Sequence, residues 1–416
     1  MLASFSQSAK RSYFLILGMA FIYFAAGSML LYLPKFFVGL GANKQDAGIL
    51  VALAFVPFVI FSILSGHIAN KLGAGRLVLI GNILHFSAAL LFLTVDEISP
   101  VVYLLRIMQG LGHVCVFTPM FTAIARIVPD KFKAQGIGYF TIAIQFGTAS
   151  GSFIGEYLIS NFGYTLFFLV VAAMNLFCAT SSLFLRGAEN EAKTTHVESL
   201  KDNKATNWKL VLGGMTLIFV LGGVFGTLLQ FIPVYFDELL ASGIISEPIP
   251  SRYFLTSALI SVACIRLLGG RHIDGKYKNI IILACHAGLL IVIYLITLIQ
   301  SKEISLLVSI LFGLSYGLIY PMANAFVLTK VSAKSRGIVT GSLTMLFEGG
   351  FRGYALVAGV ISHHLGFTVM FYSMILFYAI GVLLYYLAII SEKNGKGPIS
   401  EDEVETVFED GMIKED

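Results

Sequence analysis

Five ionisable residues interrupt stretches of chain that are otherwise continuously apolar: Arg106, His113, Glu156, Glu348 and Arg352. A lone charge at the centre of a bilayer costs about 3 kcal/mol or more unless it is paired or faces water, so such positions are candidates for binding protons, counter-ions or a polar ligand. Glu348 stands four residues before Arg352, a spacing that puts acid and base on one helical face as an ion pair. Pairing lets both charges survive burial, while a proton or a substrate can compete for the acid. Glu348 is therefore the expected protonation switch; the alternative is a permanently paired brace.

A second group lies around Arg106. Arg106, Gln109, Gly110, His113 and Phe117 recur at helical spacing and share one face. A polar stripe on an apolar helix must face a cavity or a polar partner. Gln109 and His113 are expected to line that cavity. The alternatives are an arginine tied to backbone carbonyls and a histidine that is only hydrogen-bonded in the core. Gln145, Ala149, Ser152 and Glu156 form another such face. Tyr316, Tyr320 and Asn324 make a third stripe, with Gln230 placed to face them; aromatic rings with a few polar handles suit an amphipathic or aromatic ligand, although packing is the commoner use of such rings.

The composition says what positions these groups. Hydrophobic residues make up 57% and charged residues 12% of the 416, and mean hydropathy is +0.85, which excludes a water-soluble globular domain. Apolar runs of about 20 residues, continuous rather than alternating, indicate membrane helices and not strands. Twelve are expected, at 12–37, 45–66, 77–95, 100–125, 136–160, 164–186, 209–236, 251–268, 280–300, 304–328, 338–362 and 367–390. Most of the 28 lysines and arginines fall on one side of these spans, Arg266 counted among them; four (Lys35, Lys44, Arg252 and Lys302) fall on the other. That bias puts both termini in the cytoplasm, with the first span retained, and explains the net charge of +4 without nucleic acid. The four cysteines lie within spans, without metal-ligand spacing, and are expected to be packing residues.

The chain also repeats itself. Ser65-Gly-His-Ile-Ala-Asn-Lys-Leu-Gly-Ala-Gly-Arg76 follows the second span, and Gly269-Gly-Arg-His-Ile-Asp-Gly-Lys-Tyr-Lys278 follows the eighth, with Gly66 over Gly270 and Asn70 over Asp274. Pro34 falls over Pro233, Pro119 over Pro321, Gly136-Ile over Gly337-Ile, and Gly163-Tyr-Thr over Gly366-Phe-Thr. Two copies of a six-span unit with the same topology enclose a site at their interface near the midplane. The units run from 1 to 186 and from 210 to 390. A polar linker at 187–209 joins them, and 391–416 is a tail with nine acids against three lysines, expected to be mostly disordered.

The repeated turn, with Gly66, Asn70, Gly73 and Arg76 in one copy and Gly270 and Asp274 in the other, resembles the loop signature of the major facilitator superfamily. Arg106-Ile-Met-Gln-Gly-Leu-Gly112 resembles its fourth-span signature, which implies a coupling role for Arg106. Gly147-Thr-Ala-Ser-Gly-Ser-Phe-Ile-Gly-Glu156 is similar to its antiporter motif, but Ser152 stands in place of proline and Glu156 in place of the last glycine. The resemblance implies an all-α fold of twelve transmembrane helices in two pseudo-symmetric bundles, gating by the repeated turns, and a monomer. It also implies that spans five and eight meet across the halves, so Glu156 and Arg252 are expected to form a gate contact. Asn70 replaces the acid of the motif, which implies a weaker latch on that side.

The chain is thus expected to be a secondary transporter, using protons to export a small amphipathic molecule such as a drug or siderophore-like metabolite. Proton-linked uptake of a nutrient or siderophore is the alternative in the same class; a sensor or lipid translocator on the same scaffold is the alternative outside it. No nucleotide loop, metal cluster or hydrolytic constellation stands in the sequence, so no cofactor and no enzymatic activity are expected.

Overall fold

A computed structural model describes residues 5–58, 60–61, 72–128, 133–187, 206–269, 278–332 and 336–395. Gly66, Asn70, Gly270 and Asp274 lie outside the described residues, as do 188–205 of the linker and 396–416 of the tail. Helices account for almost all that is described. In a bilayer core nothing but the chain itself can satisfy backbone N–H and C=O groups, so long apolar runs fold as helices.

Among the described residues, eight helices are long and apolar enough to cross a membrane. Two of them, Lys133–Ser182 and Arg336–Gly395, are double spans broken at Gly163 (φ 76°) and Gly366 (φ 83°). Both glycines sit in the left-handed region, which a side chain disfavours, and they are the pair that the duplication superimposed. The shorter apolar helix Ile280–Ile296 and the segment starting with Lys44–Leu53 complete twelve. Span one is Gln7–Gly39, three Ala74–Leu91, four Pro100–Ile127, seven Trp208–Ala241, eight Ser251–Gly269, nine Lys278–Ile296 and ten Lys302–Thr329. Spans five and six lie before and after Gly163, eleven and twelve before and after Gly366. Side chains cap several starts: Ser6 accepts from the Ala9 N–H, Asn43 from that of Asp46 and Ser301 from that of Ile304.

Small residues let the spans of each bundle approach closely. A Cβ on Gly147 or Gly151 of span five would fall within 2.2 Å of the Phe21 or Ala25 carbonyl of span one. In the second bundle Gly350 of span eleven meets the Phe219 carbonyl of span seven, and Gly222 and Gly226 meet those of Phe347 and Phe351. The two bundles are thus built on the same helix pairs. Each carries a proline in the same place, Pro119 within span four and Pro321 within span ten.

The bundles touch at the end away from the termini, the distal end. Lys35 at the tip of span one bridges Asp237 at 3.0 Å, and Lys44 at the start of span two pairs closely with Glu238. Lys44 Nζ also donates to the Ser362 carbonyl at 3.4 Å and lies over the Phe367 ring. Below them Gly48 of span two packs on Ala355 and Gly359 of span eleven, backbone against backbone. In this state the distal end is closed.

Candidate functional site

Span two breaks at Ala54, and the site begins there. The Ala54 N–H turns to the Ala52 carbonyl, which leaves the Leu50 carbonyl without its helical partner. Arg106 of span four fills the gap. Its Nε donates to Leu50 O at 2.7 Å, Nη2 to Val51 O at 3.3 Å and Nη1 to Gln109 Oε1 at 2.5 Å. A freed carbonyl in a membrane needs such a donor. Gly110 lets span four sit against the break, since a Cβ there would lie 2.2 Å from Ala54 O. The geometry is the carbonyl-tied alternative for Arg106, and Gln109 is taken up by it instead of lining a cavity.

One turn further, His113 faces two ways. Its Nδ1 is 2.8 Å from the Tyr23 hydroxyl of span one, and that hydroxyl is 3.1 Å from His85 Nε2 of span three. On the other side His113 Nε2 lies 3.8 Å from Glu348 Oε2 of span eleven, in the other bundle. Glu348 in turn makes a close ion pair with Arg352 one turn along its own helix. His113 stacks on Phe117 with rings nearly parallel, centroids 5.7 Å apart. His113 is therefore not a cavity-lining residue of the first bundle alone; it is where that bundle meets the buried acid of the second.

The second bundle contributes less polarity than expected. Gln230 donates to the Gly226 carbonyl at 2.9 Å and to the Phe351 carbonyl at 3.1 Å, stitching span seven to span eleven instead of facing span ten. Tyr316 is fully buried in an aromatic stack, 4.7 Å from the Phe225 centroid and 5.5 Å from that of Phe312. It is packing. Tyr320 and Asn324 are half-buried; the Asn324 amide donates back to the Tyr320 carbonyl. Tyr320 gains a partner the sequence did not suggest: Arg266 lies over its ring at 5.9 Å while its Nε donates to the Gly317 carbonyl at 2.9 Å. Arg266 is thus a residue of the bundle interior and not one of the cytoplasmic cations. Gln145 is half-buried on span five.

At the distal end Glu156 and Arg252 do come together, though not as an ion pair. The Glu156 carboxylate accepts from the backbone N–H groups of Ser251 (2.9 Å) and Arg252 (2.6 Å) and from the Ser251 hydroxyl (2.7 Å). It caps the start of span eight, where freed N–H groups and the helix dipole favour an anion. The Arg252 guanidinium lies instead over the Phe153 and Tyr253 rings, at 5.8 and 5.2 Å. Of the repeated turn, Gly73 (φ 87°) precedes span three and Arg76 is exposed on its first turn.

The sequence reading missed Tyr23, His85, Arg266 and the Lys35–Asp237 and Lys44–Glu238 bridges. A tyrosine or histidine alone in an apolar helix carries no periodic signal. The bridges had one: Lys35 and Lys44 were two of the four cations assigned to that side, and Asp237-Glu238 follows the Pro233 repeat.

A twelve-span, two-bundle carrier with a buried ion pair facing a histidine across the interface of its halves is what these elements define. The chain belongs to the Major Facilitator Superfamily, whose profile matches residues 15–353. It is 27% identical over 214 residues to the quinolone resistance protein NorA of Staphylococcus aureus, a match covering 51% of this chain and 55% of that protein. The chain thus spans about half the length of these curated relatives. Multidrug resistance protein 2 of Bacillus subtilis is 21% identical over 387 residues, with 91% and 95% covered. Among solved structures, a bacterial homologue of the human lysosomal transporter Spinster superposes with a TM-score of 0.70 at 14% identity, covering 92% and 97% of the two chains. The nucleoside transporter NupG gives 0.70 at 14% identity, covering 91% and 98%. The family is one of transporters, not enzymes, and the chain is a multi-pass membrane protein.

Proposed function

We propose that this chain exports a small amphipathic molecule, a quinolone among the candidates, in exchange for protons by alternating access. One observation carries the proposal: the Glu348–Arg352 pair of span eleven faces His113 of span four where the bundles meet. A carboxylate at that place can trade its arginine and histidine contacts for a proton, and so change how firmly the bundles hold each other. The quinolone resistance and multidrug resistance names of two relatives support export and the substrate class. Residues 1–186 and 210–390 are the rocking units, 187–209 their cytoplasmic linker and 391–416 a cytoplasmic tail. Both termini lie in the cytoplasm of a cell carrying the protein in its inner membrane, so the closed distal end faces outward. The working unit is a monomer.

In the outward-closed state, Glu156 on the start of span eight and the two lysine bridges hold the gate; in the inward-closed state the repeated turns at Gly66–Arg76 and Gly270–Asp274 latch the opposite side. Tyr320, Asn324 and Gln145 offer the polar and aromatic surface that meets substrate. Reconstitution into liposomes with an internal pH dye tests the reading. Addition of a quinolone is expected to release protons down their gradient as drug moves against it. Drug moving with the protons would make the protein an importer, and neither moving with a quinolone or a nucleoside would leave a sensor or lipid translocator.

A further inference from the structure

Tyr23 and His85 belong to no motif, and energy coupling at Glu348 alone leaves them without a task. Yet they are buried, at 3% and 7% exposure, and joined in a line through His113 to the interface acid. The line crosses three helices of the first bundle and ends on the second. Its chemistry is restricted by one fact: a tyrosine hydroxyl carries a single hydrogen, so it can donate to only one of its two histidines and must accept from the other.

We propose that His85, Tyr23 and His113 form a hydrogen-bonded wire that carries a proton between His85 Nδ1 and the Glu348 carboxylate. This rests on Glu348 being the protonation switch. With Glu348 ionised, Tyr23 donates to His113 Nδ1, His85 Nε2–H donates to Tyr23, and His113 holds its hydrogen on Nε2, aimed at the carboxylate 3.8 Å away, a gap that a small shift of either side chain closes before transfer. A proton delivered by water to His85 Nδ1 shifts every bond one place. The His85 Nε2 hydrogen passes to the Tyr23 oxygen, the Tyr23 hydrogen to His113 Nδ1, and the His113 Nε2 hydrogen to Glu348. The result is a protonated Glu348 donating to His113 Nε2, His113 Nδ1–H donating to Tyr23, and Tyr23 donating to His85 Nε2. Atoms and charge balance: one proton enters at His85, one arrives at Glu348, and both imidazoles are neutral at start and end. The wire needs no imidazolium at rest.

The surroundings keep the wire in place. Among the described residues the other titratable groups facing it are Arg106 of span four, Arg352 of span eleven, and the thiols of Cys115 and Cys178. Arg106 is held by span two, and Arg352 by Glu348. Gly112 brings spans three and four together at His85, for a Cβ there would be 2.7 Å from the His85 ring. The Tyr23 and His113 rings lie nearly parallel, centroids 6.0 Å apart, which holds hydroxyl and imidazole in register.

The test needs no substrate. The full-length protein, 15N-labelled at histidine in lipid nanodiscs, is titrated while NMR reports which ring nitrogen of His85 and His113 carries hydrogen. As pH falls through the protonation of Glu348, hydrogen is expected to move from Nε2 to Nδ1 on both rings together. Tyr23→Phe keeps the ring and deletes the relay atom; His113 should still respond, and His85 should no longer follow. Glu348→Gln should abolish both responses. A His85 that keeps one tautomer throughout in the unaltered protein, or that follows His113 equally well in Tyr23→Phe, overturns the wire while leaving Glu348 in its role. A His113 response that survives Glu348→Gln overturns the role of Glu348 itself. Circular dichroism of each variant shows that the fold is retained.

Discussion

The two bundles repeat one six-span pattern, yet different groups occupy their interiors. The first holds a polar line of Tyr23, His85 and His113, with the separate Arg106–Gln109 pair one turn before His113 on span four. The second holds an aromatic stack of Phe225, Phe312 and Tyr316 beside Phe347 and Phe351. In the register that sets Gly136 over Gly337, Glu348 and Arg352 fall on Gly147 and Gly151. Those two glycines let span five press on span one. One copy of the helix thus uses these positions for close approach, while the other uses them for charge and moves its glycine contact to Gly350. The polar line of one half ends on the charged positions of the other. The difference teaches that the repeated scaffold fixes where helices meet, and divergence at a few contact positions decides where the buried acid sits and what faces it.

Several substitutions break or sharpen this contrast. The largest effect is expected at Arg352. Arg352→Leu strands a buried carboxylate, and removing one partner of a buried pair costs about 3–5 kcal/mol; thermal unfolding in detergent should show the loss, and adding Glu348→Gln should recover most of it. Gly151→Ala comes next, because it places a methyl against the Ala25 carbonyl. Overpacking of that kind costs about 1–3 kcal/mol, whereas Gly138→Ala, which meets open space, should be close to neutral. Arg106→Lys keeps the charge but cannot reach Leu50, Val51 and Gln109 at once, with an expected cost of about 1–2 kcal/mol by chemical denaturation. On the aromatic side, Tyr316→Phe, which keeps the buried ring, should change stability by about 1 kcal/mol at most and leave substrate choice alone, while Tyr320→Ala should alter which ligands compete in a binding assay. Lys35→Ala, removing a partly exposed bridge, should cost about 0–1 kcal/mol and shift spin-label distances at the distal end slightly toward open.

Much of the fold was legible because membrane spans write themselves in long apolar runs, and because the duplication marked Gly163 and Gly366 as the same turn twice. The Glu348–Arg352 pair was legible from spacing alone. Gln230 and Tyr316 were misplaced because helical spacing tells which residues share a face but not whether that face meets a cavity or a neighbouring helix. Arg266 was counted with loop cations since it lies near a span end, where sequence cannot separate a snorkelling side chain from one turned inward. The Tyr23–His85 contact joins residues far apart in sequence, and only packing of spans one, three and four brings it about.

The central claim is that Glu348 couples substrate movement to protons across the interface of the halves. It is tested most directly by comparing the unaltered protein with Glu348→Gln in liposomes, measuring quinolone-driven proton release alongside gradient-free exchange of quinolone across the membrane. The account predicts that Glu348→Gln loses the proton release and keeps the exchange. Proton release from Glu348→Gln at the unaltered rate would contradict it.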